Sequence, residues 1–416
     1  MVKINYLKDE PYILAALGVK ISQSSFEKNI EELYRECKEN KEEAKKIVNS
    51  IIKNHHHNIL LDFSPFVITV DEISRFAALY LWRNINALNL IPGAGIEASF
   101  RVIKPTRYNK VVSNFWKFSF ELYNEFVEKE IPPQDARYII LEGALTRIIF
   151  AIQPRYLLKL YNILNNSPIE ELREIGKGFK KVVRESGFET DIEEIPASFW
   201  EIWDEKVKNN ENEFALNNLE KTKTVSLNYT NYNIKGSLSM YAQLVRERQF
   251  LCNIEPMERI AKKARFVIPN SFSNKIKEEY IKFAKTANEK QIKLIEKKDP
   301  NFVYFLLLGQ EAECDLKCTW SGIIESSKKR CCGVAQWEIR SNVAVPITTE
   351  LSKYPELKNK IGPRCWRENR CIEPATFKTK KNKCPVFEKY AGKKPENFEE
   401  VLKLLNKPGS TVKIRI

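Results

Sequence analysis

The chain has 416 residues, of which 43% are hydrophobic and 11% are aromatic, a composition that supports folded cores and excludes wholesale disorder. The net charge of +14 predicts an anionic partner, which could be a nucleotide, a nucleic acid or another anion. The sequence has no apolar run of about eighteen residues, and its start lacks the order of a signal peptide. We therefore expect a cytoplasmic protein that does not enter a membrane.

The first half of the chain is predicted to combine helices with strands. Apolar residues at helical spacing predict one long amphipathic helix over residues 24–54. The β-branched run "FVITV" (66–70) predicts a strand. Residues 109–130 have the pattern of a second long helix with Asn109 as its cap, and residues 136–155 predict mixed helix and strand.

A similar order of elements recurs in the second half. A capped helix (167–186) and a polar linker or exposed loop (204–223) separate the two series. A strand, a long helix, a core segment and a final helix then follow, at 224–234, 272–298, 302–320 and 335–354. This self-similarity predicts an internal duplication. The predicted domains are residues 1–200 and residues 201–416, the second with a cysteine-rich C-terminal segment.

Two segments carry a resemblance to a known family. The sequence "EIPPQDARYIILEGALTRIIFAIQPRYLLKL" (130–160) resembles the "PPEDAR" region of flavin-dependent thymidylate synthases. The sequence "RCCGVAQWEIR" (330–340) resembles the family's "AQWEIR" segment, and "GPRCWRENRCIEP" (362–374) resembles its frequent C-terminal ending. The chain is therefore similar to this family, as a fused pair of diverged copies.

Three family landmarks fall at nearly constant spacing in the two copies. Arg83 and Arg246 occupy the first landmark and lie 163 residues apart. The next two landmarks are both 166 residues apart in the two copies. They pair Arg137 with Val303 and Leu164 with Arg330. Each copy therefore retains an arginine that the other has lost.

The resemblance implies a fold and an activity. The implied fold class is α/β (α+β): two similar units, each a twisted sheet flanked by helices, related by a pseudo-twofold axis. The implied activity is reductive methylation of dUMP or a related pyrimidine nucleotide. FAD would be the cofactor, with NADPH and methylenetetrahydrofolate as co-substrates. Because the family's sites lie between subunits of a tetramer, a fused duplication predicts a homodimer that forms a pseudo-tetramer.

The family signature RHRxxSxNExSxRY is incomplete in both copies. The first copy has "LWRNINALNLIPGAG", which retains one arginine. The second has "VRERQFLCNIEPMER", which retains Arg246, Arg248 and Asn253 but has Glu247 where the family has histidine. The alternative is therefore a catalytically decayed member that binds nucleotide or nucleic acid, or acts as a scaffold.

Resemblance also assigns the candidate site residues. The flavin-binding candidates are His57, Gln153, Arg155, Arg246, Arg248 and Asn253. Arg246 and Arg248 are also catalytic candidates, because they would stabilise negative charge on the flavin or on the pyrimidine carbonyls. The structural alternatives are that His57 caps a helix and that Arg246 and Arg248 belong to a solvated basic face.

Arg137 and Arg330 are the candidates for binding the substrate phosphate. Arginine forks bind phosphate oxygens in pairs, and an arginine in an apolar segment such as that of Arg137 is costly without an anion. Arg330 precedes a helix that we predict to begin near Ala335, where backbone amides would face an anion. A helix entry with one solvated arginine is the alternative.

Cysteines near the end of the chain raise the question of zinc. Cys365, Cys371 and Cys384 are candidate ligands, but their spacing differs from the C-x2-C pattern of structural zinc sites. Buried free thiols are the alternative.

Overall fold

The structure is a computed structural model of the chain. It describes residues 3–6, 11–23, 30–55, 66–88, 95–97, 108–188, 229–247, 250–333, 335–363, 365–368, 384–393, 395, 400, 404 and 409–413. Among these residues, no helix combines the length and the apolar character needed to cross a membrane.

Helices form most of the described structure. The α-helices are α1 (Pro11–Gln23), α2 (Ile30–Glu39), α3 (Lys41–His55), α4 (Arg75–Leu88), α5 (Ser113–Glu128), α6 (Pro133–Ala136), α7 (Pro154–Asn165), α8 (Glu170–Glu185), α9 (Leu238–Leu244), α10 (Met257–Lys263), α11 (Asn274–Glu296), α12 (Trp320–Arg330), α13 (Trp337–Ile339), α14 (Val345–Leu351), α15 (Pro355–Lys358), α16 (Cys365–Glu368) and α17 (Pro385–Tyr390). Tighter 3-10 turns lie at Lys110–Val112, Arg137–Ile139 and Pro300–Phe305, and a π-helical turn lies at Arg340–Ala344.

The described strands form three small sheets. The strands are β1 (Lys3–Tyr6), β2 (Phe66–Ser74), β3 (Gly95–Glu97), β4 (Leu145–Ile152), β5 (Tyr229–Ser237), β6 (Phe250–Ile254), β7 (Arg265–Ile268), β8 (Glu311–Thr319) and β9 (Ser410–Lys413). Their orders are β1-β2-β4-β3, β5-β8-β6 and β7-β9. The fold is therefore mixed helix and sheet, of the α+β kind.

The chain divides into two compact units, each built from discontinuous segments. Unit 1 comprises Met1–Ile73, Pro92–Ala98 and Thr146–Asn212. Unit 2 comprises Ser74–Ile91, Ser99–Leu145 and Glu213–Ile416.

Unit 1 contains most of the four-stranded sheet and the hairpin of α7 and α8. Strand β1 pairs with β2 in antiparallel fashion, and β3 pairs with β4 in the same way. The amphipathic helix α8 buries one apolar face, on which Phe179 meets the ring of Phe150 from β4 edge to face. Burial of this face fixes α8 to the sheet, since aromatic rings supply large apolar areas.

Unit 2 contains the three-stranded sheet β5-β8-β6, in which both neighbours of β8 are antiparallel to it. The long helix α11 is capped by Ser273, whose hydroxyl accepts a hydrogen bond from the backbone N–H of Ile276 at 3.5 Å. Tyr280 and Phe283 of this helix are buried in the unit's core.

Most predicted elements are confirmed. The strand at 66–70 is part of β2, Asn109 caps the 3-10 turn that leads into α5, and the helix at 272–298 is α11. The prediction of one helix over 24–54 is wrong in the described part, because the chain forms α2 and α3 with a break at Asn40. Asparagine interrupts helices readily, since its side chain competes for backbone hydrogen bonds.

Two turns of unit 2, residues 138–144 and 304–310, hydrogen-bond to each other reciprocally. Leu141 and Leu307 form an antiparallel bridge at the centre of the contact. Four backbone bonds flank it: Glu142 N–H to Leu306 O (2.8 Å), Leu308 N–H to Ile140 O (2.9 Å), Gly143 N–H to Tyr304 O (3.0 Å) and Gly309 N–H to Tyr138 O (3.0 Å). The bonds form two pairs. In each pair, one bond is donated by the first turn and the other by the equivalent residue of the second turn.

A glycine permits this close approach in each turn. A Cβ on Gly309 would lie 2.1 Å from the Tyr280 hydroxyl oxygen. A Cβ on Gly143 would lie 2.8 Å from a Val112 methyl group and 3.1 Å from the Tyr304 carbonyl oxygen. The contacts with Tyr280 and Val112 are shorter than real Cβ contacts, so a side chain at either glycine would force these neighbours to shift.

The order β2-β4-β3 in the first sheet matches the order β5-β8-β6 in the second. In both sheets, a serine ends the first strand and caps the helix that follows. The Ser74 hydroxyl accepts from the Ala77 N–H at 3.0 Å, and the Ser237 hydroxyl accepts from the Met240 N–H at 3.1 Å. Such capping fixes where each helix begins.

Candidate functional site

Glu338 is the centre of a buried polar network in unit 2. Its carboxylate is fully buried and accepts hydrogen bonds from the Ser237 N–H (2.6 Å), the Ser237 hydroxyl (2.5 Å) and the Tyr138 hydroxyl (2.5 Å). Burial raises the pKa of Glu338, although the hydrogen bonds from Ser237 and Tyr138 act in the opposite direction. These donors compensate for part of the cost of holding a carboxyl group in the interior.

Two glutamines extend this network to Arg330. The Gln336 amide donates to the Tyr138 hydroxyl at 2.7 Å, and the Gln243 amide donates to the Gln336 side-chain oxygen at 2.8 Å. Arg330 in turn donates to the Gln243 side-chain oxygen at 3.5 Å. A continuous hydrogen-bonded path therefore joins Glu338 to Arg330.

Arg330 is held by a carboxylate in the structure. Its Nε donates to Glu247 Oε1 at 2.6 Å, and a terminal guanidinium nitrogen contacts the same oxygen. The Arg330 side chain remains 22% exposed. The guanidinium therefore has both a carboxylate partner and access to solvent.

The local structure around Arg330 differs from the prediction of a helix entry. Arg330 is the last residue of α12, where its charge complements the helix dipole, and the next helical turn begins only at Trp337. Arg340 spans the intervening loop, with its guanidinium donating to the carbonyl oxygens of Gly333 (3.0 Å) and Ala335 (2.7 Å). The loop is therefore tied to the helical turns that follow it.

Arg137 lies in the 3-10 turn after α6 and is buried, as its apolar segment predicted. Burial raises the pKa values of Asp135 and Glu338, and the positive charge of Arg137 acts on both in the opposite direction. Asp135 also accepts a hydrogen bond from the Ser271 hydroxyl at 2.6 Å. Arg137 thus contributes positive charge to the same buried region as the Glu338 network.

The remaining described flavin candidates lie in different units. In unit 2, Arg246 Nε donates to the Ala242 carbonyl oxygen at 2.7 Å, and the Asn253 side-chain oxygen accepts from Arg83 at 2.9 Å. Gln153 and Arg155 lie in unit 1, at the start of α7. Within the described residues, the buried Gln153 Oε1 has no hydrogen-bond partner. His57 and Arg248 lie outside the described residues.

The candidate zinc ligands are only partly described. Cys365 is half-buried in α16, and Cys384 is buried at the start of α17. Cys371 lies outside the described residues. Among the residues that the structure describes, no group of three or more histidine, cysteine or acidic side chains has a metal-binding arrangement.

Sequence reasoning missed the core of this site. Ser237, Tyr138 and Gln243 come from three distant segments, and they meet Glu338 only in the folded chain. One signal for an unusual segment is present in "AQWEIR". Its polar and apolar residues alternate strictly, which matches neither the pattern of a solvated helix nor that of an apolar helix.

Comparisons with known proteins give one family match. A family model described as thymidylate synthase complementing protein matches residues 4–186. No curated protein sequence matches the chain. The matched region includes Arg137, Gln153 and Arg155, whereas the segment around Arg330 lies beyond it.

A search of solved structures finds a distant similarity to the crystal structure of a UMP/dUMP methylase, PolB from Streptomyces cacaoi, bound with 5-Br dUMP. The identity is 10% and the TM-score 0.34, over 45% of this chain and 94% of that chain. The family match is therefore the finding that indicates a relationship: residues 4–186, less than half of the chain, are similar to the thymidylate synthase complementing proteins, the family of the flavin-dependent thymidylate synthases.

Proposed function

We propose that this chain is a flavin-dependent thymidylate synthase-like enzyme that methylates dUMP or a related pyrimidine nucleotide. The observation that carries the proposal is the family match over residues 4–186. The buried network of unit 2 adds the residue types that such a substrate needs, namely arginines for a phosphate and amide or hydroxyl groups for a base.

In this proposal, Arg330 and Arg137 bind the substrate phosphate. Arg330 is part-exposed at the end of the Gln243–Gln336 path, so an incoming phosphate reaches its guanidinium by displacing the Glu247 carboxylate. Arg137 adds positive charge from the buried side. The path through the two glutamines fixes the orientation of Arg330, which favours a defined phosphate geometry.

Each unit also offers residue types that suit a flavin. In unit 2, Arg246 and Asn253 supply a cation and an amide; in unit 1, Arg155 supplies a cation, and the buried Gln153 Oε1 is an acceptor without a partner among the described residues. Flavin, when bound, would supply reducing equivalents, with methylenetetrahydrofolate as the carbon donor and NADPH as the reductant. The residues of this chain would bind and orient the reactants, and Arg246 with Arg248 would stabilise negative charge.

The chain is further proposed to be a tandem duplication, with residues 1–200 and 201–416 as its copies. The reciprocal bonds between residues 138–144 and 304–310 support this, because exchange of equivalent contacts is what a local twofold axis produces. The matching strand orders support it independently. A homodimer of such chains would supply four repeats, as in the pseudo-tetramer that the sequence predicts.

A nucleotide-binding or scaffold protein without catalysis is the second candidate. The Arg330–Glu247 ion pair favours it, because Glu247 stands where the family has histidine and already compensates the arginine. The family's chemistry would then be lost while the fold is retained.

Purified protein tests the proposal through its colour and its turnover. We expect bound FAD to absorb in the visible, and we expect conversion of dUMP to dTMP with FAD, NADPH and methylenetetrahydrofolate. Arg246→Ala should release flavin, with a loss of about 1.5–3 kcal/mol for a charged hydrogen bond. Lys282→Ala, an exposed residue of α11, is the matched control. Colourless protein whose addition leaves FAD fluorescence unchanged would contradict the flavin assignment. Nucleotide binding without turnover would favour the second candidate.

A further inference from the structure

The hairpin of α7 and α8 in unit 1 carries an open basic cleft, separate from the residues assigned above. Its lining consists of Tyr161, Lys177, Lys180, Lys181, Arg184 and Glu185. The cleft has a volume of about 470 Å³. Four cations and one carboxylate therefore face a concave surface that is large enough for a ligand.

We propose that this cleft binds single-stranded nucleic acid. The proposal goes beyond nucleotide methylation and does not depend on it, because it rests on residues that have no role in that reaction.

The cations form a continuous stripe along α8. Lys177, Lys180, Lys181 and Arg184 follow the i, i+3, i+4, i+7 spacing of one helix face and are all exposed. The stripe is about 10 Å long, given the rise of a helix per residue. The opposite face of α8 is buried, so the cations are held at the surface. Such a stripe can contact successive phosphates of one strand.

Internal pairing leaves most of this charge available. Lys181 Nζ lies 3.7 Å from Glu185 Oε1, but the two side chains are 73% and 56% exposed. Solvent screens an ion pair of this kind, so Glu185 offsets little of the positive charge. The cleft remains cationic even with this pair formed.

An aromatic ring favours nucleic acid over other polyanions. Tyr161 of α7 lies in the cleft, with Lys180 Nζ 4.8 Å from the centre of its ring. A ring next to a cation offers a surface on which a base can stack while its phosphate meets the lysine. An acidic peptide without aromatic side chains, such as polyglutamate, has no base to stack on the ring.

Fluorescence anisotropy with labelled oligouridylate of about 16 nucleotides would test the proposal on the full-length protein. We expect Lys177→Glu/Lys181→Glu to weaken binding by tenfold or more. For each lost phosphate contact, the slope of log affinity against log salt should fall by about 0.7. Tyr161→Leu should weaken binding by about fivefold or more through lost stacking.

The matched control is Lys282→Glu/Lys285→Glu, the same charge change on the exposed face of α11 in unit 2. Circular dichroism would verify that each variant is folded. Three results would overturn the proposal: no binding by the wild type, equal weakening by the control variant, or equally effective competition by polyglutamate.

Discussion

Residues 138–144 and 304–310 make the same backbone contacts but carry different side chains. Each turn donates two backbone hydrogen bonds to the other, and each contains a glycine at the point of closest approach. The tyrosines that begin the turns have different surroundings. Tyr138 donates to Glu338, whereas the ring of Tyr304 meets Phe76 edge to face at 6.2 Å. Main-chain bonds and glycine thus hold the geometry, and this leaves the side chains of one turn available for a polar site.

The largest expected effect is on the shared geometry itself. Gly309→Ala should lower the free energy of unfolding by about 3 kcal/mol, because its Cβ would meet the Tyr280 hydroxyl at 2.1 Å. Gly143→Ala should cost less, since its tightest contacts are to the methyl groups of Val112. Urea denaturation measures both. In a Tyr280→Phe background, Gly309→Ala should cost less than in the wild type; a neutral Gly309→Ala would contradict the close contact.

The difference between the turns can be tested at Tyr138. Tyr138→Phe removes the hydroxyl that bonds to Glu338 and Gln336, and should lower stability by about 1–3 kcal/mol. Tyr280→Phe is the control. Tyr280 is equally buried, but its hydroxyl has no hydrogen-bond partner within the described part of the chain. Equal losses of stability from the two substitutions would remove the special role of Tyr138.

Glu247 tests whether the polar site is open to an anion. Glu247→Gln removes the carboxylate that holds Arg330, so affinity for dUMP should rise by about two- to fivefold, the range of a part-exposed ion pair. Glu258→Gln, which changes the same charge in α10, is the control and should leave the affinity unchanged. Weaker binding by Glu247→Gln would show that Glu247 supports the ligand instead of competing with it.

The smallest expected effect on stability concerns β4 and β8, the corresponding central strands of the two sheets. In β4, Arg147 lies 3.3 Å from Asp71. In β8, Glu313 accepts a hydrogen bond from Lys263 at 2.9 Å. This hydrogen bond lowers the pKa of Glu313. The stabilising contribution is therefore present above the unfolded-state pKa and is lost as pH falls through the lowered folded-state value.

Because Glu313 is about one-third exposed, Glu313→Gln should lower stability by less than about 0.5 kcal/mol at neutral pH, and the difference should vanish near pH 3. Urea denaturation at both pH values measures it. A stability difference between wild type and Glu313→Gln that grows as pH falls would contradict the predicted direction of the pKa shift.

The sequence predicts the elements of the fold better than it predicts the site. Periodicity locates β2, α5 and α11 because their apolar faces are regular. Arg330 was misplaced at a helix entry, since the polar helix α12 that precedes it has no clear apolar stripe in the sequence.

The role of Glu338 could not be predicted from its own segment. Between Trp337 and Ile339, a glutamate is expected to face solvent. Its burial depends on donors from Tyr138 and Ser237, which lie 200 and 101 residues away in sequence. Only tertiary structure brings these groups together. The alternation in "AQWEIR" shows that the segment is unusual, but it does not identify Tyr138 or Ser237 as partners.

Isothermal titration of dUMP into wild-type and Arg330→Ala protein most directly tests the central claim, that Arg330 binds a nucleotide phosphate. We predict an affinity about tenfold weaker for Arg330→Ala, the effect of a lost charged hydrogen bond. Arg330→Lys should recover part of the affinity, because lysine keeps the charge but lacks the planar fork. Lys329→Ala removes the same charge from the exposed neighbouring position and should bind as the wild type does. Equal affinity for wild type and Arg330→Ala would contradict the claim.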